Sequence, residues 1–370
     1  GVQSIAEEGS KLKVTLSSGQ VETDMVILAV GVRPDTALAK EAGLTLNPRG
    51  AIVVDEHMLT SDPDIYAVGD AVEITDFVTG QKGYIPLAGP ANKQGRIAAD
   101  NICGIPSVYK NTQGSSILKV FDMTVATTGV NERTAKAAGL NYDKVYTYSN
   151  SHASYYPGST GMSIKTIYEK GTGRILGAQI VGFDGVDKRC DVLATAIRAG
   201  MTASDLCDLE LCYAPPFGSA KDPVNFVGYV IENTLSGQVK NFFWDDVASL
   251  PRDGSVTLLD VRTDSERANG QYIEGFLHIP VDELRQRAGE LDKSKPVYIH
   301  CAAMWPAGCS PAWALTATTS PAGGDCMNPS SARPNPRNTA ATTPTDRQAT
   351  APRRMPAGVP TGICFCDRSG

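Results

Sequence analysis

Hydrophobic and polar residues alternate over Lys11–Leu16, and a small polar turn follows at residues 17–19. Met25–Val30 is then a continuous apolar run, which is typical of a strand buried on both faces of a sheet. These patterns predict a hairpin that leads into a core strand. Residues 51–54 predict a further short strand, and residues 65–70 predict a second buried strand after a turn.

Along the middle of the chain, the spacing of hydrophobic residues changes several times between the period of a strand and the period of a helix. Residues 89–102 have helical spacing, with Ile97, Ala98 and Ile102 on one side. Residues 117–200 predict a strand, a helix, two strands joined by a KGTGR turn, and a further helix over Val186–Gly200. Strands that pair through turns, with helices between them, indicate an α+β domain.

The last organised segment alternates short apolar strands with one amphipathic helix. TLLDVR (257–262) and PVYIHC (296–301) have the length and composition of buried strands, and DELRQRAGEL (282–291) has helical periodicity. This alternation predicts a small parallel sheet. Together the patterns predict a multidomain chain that combines the α/β and α+β classes.

Composition limits the classes of protein to which the chain can belong. It has 370 residues, of which 42% are hydrophobic, and this is enough for two or three cores. A net charge of -6 argues against a nucleic-acid partner. No apolar run could cross a bilayer, and the first residues show neither a start methionine nor a signal-peptide pattern. We therefore expect a cytoplasmic protein with no membrane partner, whose sequence begins inside a domain.

The nine cysteines are scattered along the chain and lack the paired spacing of a zinc site. We expect no metal, and we expect most of these thiols to be reduced and packed.

The composition changes sharply after Cys301. Residues 302–370 contain no Lys, Glu, His or Tyr and a single Leu, and such a stretch predicts a disordered tail that cannot build a core. Translation in a wrong reading frame explains the change better. Residues 304–308, MWPAG, are encoded ATG TGG CCN GCN GGN. One base downstream this sequence encodes Cys, Gly and two residues whose options include Leu and Arg.

Two segments, AVGVRPDT (29–36) and SDPDIYAVGDA (61–71), resemble the second flavin-binding signature of the two-dinucleotide-domain disulfide reductases. The resemblance implies that Gly69 lets the backbone approach FAD and that Asp70 accepts a hydrogen bond from a ribityl hydroxyl. Independently, a carboxylate at the carboxyl end of a parallel strand points into the crevice where ligands of open sheets bind. The alternative for a Gly-Asp pair is a turn or a helix cap.

The next segment, PLAGPANKQG (86–95), resembles the following element of that family, in which a helix N-terminus faces the pyrimidine oxygens of the flavin. The positive end of the helix dipole stabilises the reduced, anionic ring. The resemblance places Pro86, Leu87, Ala88 and Gly89 next to the cofactor.

No GxGxxG sequence occurs before residue 70, so the ADP-binding half of the FAD site and the nicotinamide-binding fold are expected outside this chain. We interpret residues 1–32 as the last strands of the NAD(P)H-binding domain. We interpret residues 33–112 as the C-terminal part of the FAD-binding domain. The redox-active cysteine of the family would precede both, so we expect this chain alone to be inactive in flavin turnover.

Residues 113–238 resemble the C-terminal dimerisation domain of the same reductases, and this implies a homodimer. Within them, HASYYPG and LCYAPPFGSAKDPVN are similar to the CoA disulfide reductase branch, in which tyrosines of one subunit reach the partner's active site. A tyrosine packs as an apolar plate while its hydroxyl donates to a thiolate. The resemblance assigns these roles to Tyr156 and Tyr213, with Tyr155 as a competing choice for the first. Otherwise, Tyr155 and Tyr156 would be ordinary strand residues.

Residues 239–301 are similar to a rhodanese domain through LLDVRTDSE, HIP and the strand that ends at Cys301. In that family the cysteine after this strand becomes a persulfide inside a loop of backbone N–H groups, next to a helix N-terminus. The written segment AAMWPAGCSP offers no such loop, whereas the shifted frame supplies Cys-Gly-Leu-Arg. We interpret residues 302–370 as an out-of-frame tail. Outside this resemblance, Cys301 would be a core cysteine.

The resemblances together predict part of an FAD-dependent oxidoreductase that uses NAD(P)H to reduce CoA disulfide, CoA persulfide or polysulfide. The rhodanese domain would carry sulfur and pass it to the CoA thiol. One alternative is an NADH oxidase or peroxidase of the same fold. The other is a noncatalytic module for dimerisation and sulfur carriage.

Overall fold

The computed structural model describes residues 1–269, 272–302 and 313–318. The chain begins with an antiparallel sheet of three strands, β1 (Val2–Glu8), β2 (Lys11–Leu16) and β3 (Gly19–Thr23), in the order β1-β2-β3. The predicted hairpin is therefore confirmed, and its turn lies at residues 17–18.

The predicted core strand over Met25–Val30 is wrong. Met25, Ile27, Leu28 and Val30 are 68%, 77%, 75% and 91% exposed, and the segment has no regular secondary structure. A strand that is buried on both faces needs neighbouring strands and covering helices. Among the residues that the structure describes, no strand pairs with this segment.

Residues 37–112 form a small mixed unit around α2 (Ala88–Ile102). It also contains α1 (Ala37–Glu41) and a two-stranded sheet of β4 (Ile74–Thr75) and β5 (Lys82–Gly83). The helix α2 was predicted correctly, and Ala98 faces the core, whereas Ile102 at the end of the helix is 64% exposed. The two strands predicted over residues 51–70 appear as isolated bridges, which pair Ile52 with Leu46 and Val72, and Leu59 with Tyr66. The buried apolar core consists of Ile52, Val54, Met58, Val72, Ile74 and Ala98.

The central unit is built on a five-stranded antiparallel sheet, and its bounds confirm the predicted α+β pattern. The strand order is β6-β7-β10-β9-β8. The strands are β6 (Ser116–Val120), β7 (Met123–Gly129), β8 (Tyr142–Asn150), β9 (Gly161–Glu169) and β10 (Ile175–Gly182). The helices are α3 (Glu132–Ala137), α4 (Val186–Ala199), α5 (Ala203–Asp208) and α6 (Pro223–Leu235).

Two of these helices cover the sheet. The helix α4 packs on β7 and β10, and α6 packs on β8 and on α5. Their apolar sides bury Leu193, Ile197, Val227 and Ile231 against the sheet, with each side chain at most 3% exposed. The apolar side of each helix is therefore buried against the sheet. Together with the sheet residues, these side chains form the largest apolar core that the structure describes.

The last unit is a five-stranded sheet in the order β11-β15-β14-β12-β13. Its strands are β11 (Lys240–Phe242), β12 (Thr257–Asp260), β13 (Leu277–His278), β14 (Val297–Ala302) and β15 (Trp313–Thr318), and its helices are α7 (Asp264–Asn269) and α8 (Val281–Arg287). β12 runs parallel to β13 and β14, as predicted. β15 pairs antiparallel with β14 and β11. Within the predicted disordered tail, Ala302 ends β14 and residues 313–318 form β15, so the prediction is wrong for these residues. The rest of that tail, residues 303–312 and 319–370, and the predicted reading-frame change lie outside the described residues.

Candidate functional site

The Gly69-Asp70 turn lies directly against α2. Gly69 has a φ of 78°, a conformation that favours glycine, and begins a single 3₁₀ turn over Gly69–Ala71. Its N–H donates to the side-chain oxygen of Gln94 at 2.7 Å. Gln94 is 1% exposed although it is polar, and it lies on α2. This buried hydrogen bond fixes the turn to the helix and leaves the Asp70 side chain exposed.

Gln94 was missed by the sequence analysis, yet a signal was present. Gln94 and Ala98 are four residues apart and therefore share one side of α2, where they are the helix's two buried residues. An amide on the buried side of a helix needs a polar partner, and the nearest backbone donor is Gly69.

The beginning of α2 has no capping side chain. Leu87 occupies the cap position with an extended backbone, and no side chain accepts a hydrogen bond from the first turn. Ala88 and Gly89 are exposed there, and Pro86 and Leu87 are half-buried. The first N–H groups of a 15-residue helix carry partial positive charge, so this end suits an electronegative group.

The pKa of the Tyr84 phenol is affected by the charge of Asp70 in this turn. Burial and the charge of the Asp70 carboxylate both raise the pKa of Tyr84. A negative charge on the phenol would be repelled by the carboxylate, so Asp70 and Tyr84 lie near each other beside this turn. The Asp70 carboxylate as acceptor, the Gly69 backbone and the open helix N-terminus as donor together fit the ribityl and ring portions of a flavin.

A second candidate site lies on the central unit, where two tyrosine hydroxyls meet. The Tyr155 and Tyr213 hydroxyl oxygens are 3.2 Å apart, although the side chains are 75% and 49% exposed. The hydrogen bond between the Tyr155 and Tyr213 hydroxyls, followed by burial, raises the pKa of Tyr155. Tyr156 lies instead edge-on to His152, with ring centroids 5.9 Å apart. The structure thus brings together Tyr155 and Tyr213 and does not bring Tyr156 to this pair.

Cys301 is exposed near the end of β14, so it is not a core cysteine. The preceding residue, His300, is fully buried, and burial lowers its pKa to about 4. Next to His300, the carboxylate of Asp260 accepts a bond from Arg262 at 2.8 Å, and both side chains are nearly inaccessible. The predicted sulfur-binding loop falls on residues outside the described part of the chain.

Five cysteines lie in the described residues, and Cys103, Cys190, Cys207 and Cys212 are free thiols. Cys103 and Cys212 are exposed as well as Cys301, so the expectation that most thiols are packed is wrong for these five. Cys190 is buried on α4, and burial raises its pKa to about 11, which makes it an inert thiol.

A cleft of 870 Å³ separates α2 from α4. The charged side chains among the described residues that line it are Lys93, Arg96, Lys110, Arg198 and Asp191. Arg198 is held by the carbonyl of Lys110 at 2.6 Å and by the ring of Phe77 at 4.1 Å. An excess of cations over one acid suits an anionic ligand.

Within the described part of the chain, no group of three His, Cys, Asp or Glu side chains is placed to hold a metal ion. No helix in the same residues has the length and apolar character needed to cross a membrane.

Three segments match known domain families. Residues 1–95 match pyridine nucleotide-disulphide oxidoreductase, and residues 115–223 match the dimerisation domain of that family. The chain belongs to the pyridine nucleotide-disulphide oxidoreductase family. Residues 243–327 match a rhodanese-like domain. These matches confirm the resemblances and the fold class predicted from the sequence, while the domain boundaries at residues 32, 112, 238 and 301 stay predictions.

Individual relatives agree with these matches. The chain is 36% identical over 220 residues to the NAD(P)H sulfur oxidoreductase (CoA-dependent) of Pyrococcus furiosus, which covers 60% of this chain and 50% of the relative. It is 35% identical over 219 residues to the coenzyme A disulfide reductase of Staphylococcus epidermidis, with 59% and 50% covered. Proteins named NADH oxidase and NAD-dependent persulfide reductase also match. The chain spans about half the length of the curated relatives it matches.

A solved structure extends the likeness to the rhodanese-like domain. The reduced Bacillus anthracis CoADR-RHD is 51% identical, with a TM-score of 0.75, and the match covers 82% of this chain and 54% of that chain.

Proposed function

We propose that this chain supplies half of a flavin site and, in a homodimer, a tyrosine pair for the reduction of CoA disulfide, CoA persulfide or polysulfide by NAD(P)H. The observation that carries the proposal is the 3.2 Å contact between the hydroxyls of Tyr155 and Tyr213. Two phenols at this distance present donors to a thiolate or a sulfur intermediate. Because the pair is exposed, it is available to a ligand or a partner subunit. We therefore favour Tyr155 over Tyr156 as the companion of Tyr213.

The residues at the start of α2 fit the ribityl and ring portions of FAD. Asp70 would accept the ribityl hydroxyl, and Gly69 would let the backbone approach it. The N–H groups of Ala88 and Gly89 would face the ring oxygens, with Pro86 and Leu87 packed beside them. Bound FAD would supply the electron transfer from NAD(P)H to the sulfur substrate.

The cationic cleft supports a phosphorylated substrate. CoA carries several phosphate charges, and Lys93, Arg96 and Lys110 give the cleft the opposite sign. The rhodanese-like domain would add a sulfur-carrying step, in which the exposed Cys301 thiol holds sulfane sulfur for transfer to CoA.

Because residues 115–223 match a dimerisation domain, we infer a cytoplasmic homodimer in which the tyrosine pair acts in the partner's site. Free thiols at Cys103, Cys190, Cys207 and Cys212 suit a reducing compartment. The 370-residue sequence contains no GxGxxG, so we expect the purified chain to retain FAD below stoichiometry and to be inactive alone.

A chimera gives the sharpest test of this function. Residues 1–302 would replace the corresponding part of the Bacillus anthracis CoADR-RHD, to which the chain is 51% identical. We expect NAD(P)H oxidation that depends on CoA disulfide, CoA persulfide or polysulfide. Tyr155→Phe and Tyr213→Phe should each lower kcat by at least tenfold, because each removes a donor to the reacting sulfur. Tyr156→Phe is the matched control and should be nearly silent.

The alternatives predict different outcomes from the same chimera. An NADH oxidase would consume oxygen at a rate that no CoA substrate changes, and the tyrosine variants would be silent. A noncatalytic module would show neither activity and would only dimerise. Either result would contradict the proposed function.

A further inference from the structure

The guanidinium of Arg189 joins three segments of the chain. Arg189 is on α4 and is 1% exposed. Its Nε and Nη2 donate to the two carboxylate oxygens of Asp222 at 3.3 and 2.9 Å. Nη2 also donates to the carbonyl of Ser151 at 2.9 Å, and Nη1 donates to the carbonyl of Gly185 at 3.3 Å. All four bonds come from one planar group.

Two of the joined segments each carry one tyrosine of the pair. Ser151 begins the loop after β8 that contains Tyr155, and this loop is tied to the other one by a bond from the Ala153 N–H to the Gly218 carbonyl at 3.0 Å. Asp222 ends the loop that contains Tyr213 and caps α6 through the N–H of Val224 at 3.0 Å. Arg189 therefore fixes the far ends of both loops to α4.

The tyrosine pair needs such support because it has little of its own. Exposed hydroxyls exchange their mutual hydrogen bond for bonds to water, so the net gain from one such contact is small. The separation of Tyr155 and Tyr213 must then be set by the backbone that carries them. Buried, charge-assisted bonds with fixed geometry can set it.

We propose that Arg189 is a positioning residue, which holds the loops of Tyr155 and Tyr213 at the separation where their hydroxyls bond. Asp222 is its counterpart and orients the guanidinium. Lys188, whose ammonium is 3.8 Å from the Asp222 carboxylate, adds charge but lacks the fork geometry. The inference rests on the proposed function only for the use of the pair in catalysis, since the pairing itself is a property of this chain.

Arg189→Lys tests the proposal, because an ammonium keeps the charge and cannot donate to Asp222, Ser151 and Gly185 in the same plane. The readout is the titration of Tyr155 in the 370-residue chain, followed by NMR of ¹³C-labelled tyrosine and assigned with Tyr155→Phe. The hydrogen bond with Tyr213 favours the protonated Tyr155 hydroxyl and raises the pKa of Tyr155. We expect Arg189→Lys to lower that pKa by about as much as Tyr213→Phe does.

The double variant Arg189→Lys, Tyr213→Phe should shift the titration no further than Tyr213→Phe alone, since both changes remove one interaction. Arg198→Lys is the matched control: it is the same substitution on the same helix, at an arginine that contacts Phe77 and Lys110. It should leave the Tyr155 titration unchanged.

A folded Arg189→Lys protein with the wild-type Tyr155 titration would overturn the proposal, as would additive shifts in the double variant. Asp222→Asn serves if Arg189→Lys does not fold, because it keeps an acceptor for Val224 and weakens the charge-assisted bonds. A wild-type Tyr155 titration in Asp222→Asn, or shifts that add to those of Tyr213→Phe, would likewise overturn the proposal. The activity of the Tyr213→Phe chimera is a separate measurement from the Tyr155 titration. The proposed function can therefore fail while the positioning role of Arg189 stands, and the positioning role can fail while the proposed function stands.

Discussion

The dimerisation domain and the rhodanese-like domain each bury an arginine–aspartate pair, and the two pairs are built in opposite ways. Arg189 and Asp222 are 33 residues apart in sequence, with 2.9 Å between Nη2 and Oδ2. Asp260 and Arg262 are two residues apart, with 2.8 Å between the same atoms. All four side chains are at most 4% exposed.

The difference shows what each pair can do. The long-range pair holds together a helix and two loops, so its loss should alter geometry at the surface. The local pair can only shape the end of β12, and its neighbour is the buried His300, whose Nδ1 is 3.6 Å from the Asp260 carboxylate. Its loss should therefore alter the stability and charge balance of one sheet. The following predictions test this contrast.

The largest effect should come from Arg262→Met. Removing one partner leaves the Asp260 charge buried in a sheet core, which costs about 3–5 kcal/mol of unfolding free energy. The rhodanese-like domain should lose that stability, while the dimerisation domain keeps its own. Hydrogen exchange measured by mass spectrometry reads both regions in one sample: peptides over β12 and β14 should lose protection, and peptides over β9 and β10 should not.

Replacing both partners sharpens this result. Asp260→Leu with Arg262→Met removes the unpaired charge, so it should be less destabilising than Arg262→Met alone. The control is Arg287→Met, which breaks an exposed ion pair with Glu283 and Glu290 and should change little. Equal losses of protection in both domains would show that the two pairs are not independent.

A second, somewhat smaller effect should appear as a pH dependence confined to the rhodanese-like domain. Burial lowers the pKa of His300 from 6.5 to about 4, so the native state holds it neutral. The unfolded chain binds a proton below pH 6.5 that the native state does not bind until about pH 4. Stability is therefore complete above pH 6.5 and falls toward pH 4, by up to about 3 kcal/mol.

Asp260 does not act in the same window. Burial opposes its ionisation, but hydrogen bonds from Arg262 lower its pKa, so its contribution is lost only below the usual carboxylate range. Urea unfolding at pH 7 and pH 5, followed by exchange of β14, should show the difference. His300→Gln should flatten the slope. A slope that persists in this variant would assign the pH dependence to other groups.

Sequence patterns correctly predicted the strands, turns and helices that depend on residues close together in the sequence. The strands and turn of β9 and β10, the helices α2 and α4, and the parallel pair of β12 and β14 follow from local periodicity and turn residues. Met25–Val30 has an equally clear pattern and is exposed, because burial depends on other segments that the pattern itself does not contain. A periodic segment shows which face could be buried and leaves open what would cover it.

The candidate sites show the same limit at the level of single residues. Tyr155 and Tyr156 are adjacent and of one type, so composition could not choose between them. The choice depends on a contact with Tyr213, 58 residues away. Arg189 was missed because it looks like an ordinary polar helix residue, and the spacing of Gln94 from Ala98 does not by itself identify a partner. Their function appears only with their burial and with partners on other elements.

The smallest predicted effect isolates one bond of the long-range pair. Gly185 has a φ of 66° and Gly139 a φ of 69°, so Ala at either position costs about 1–2 kcal/mol in backbone strain. An added Cβ at Gly139 would meet nothing within 4 Å, whereas at Gly185 it would lie 2.2 Å from Nη1 of Arg189. The guanidinium must then move and weaken its bond to the Gly185 carbonyl.

We therefore expect Gly185→Ala to destabilise the dimerisation domain by about 1 kcal/mol more than Gly139→Ala, measured as unfolding free energy in urea. This excess should largely disappear when both glycine variants are compared in an Arg189→Lys background, because the displaced group is then absent. It should also be accompanied by a lower pKa of Tyr155 in Gly185→Ala and not in Gly139→Ala. Equal costs for the two glycines would mean that the guanidinium has room to move, and that the geometry of the tyrosine pair does not depend on this bond.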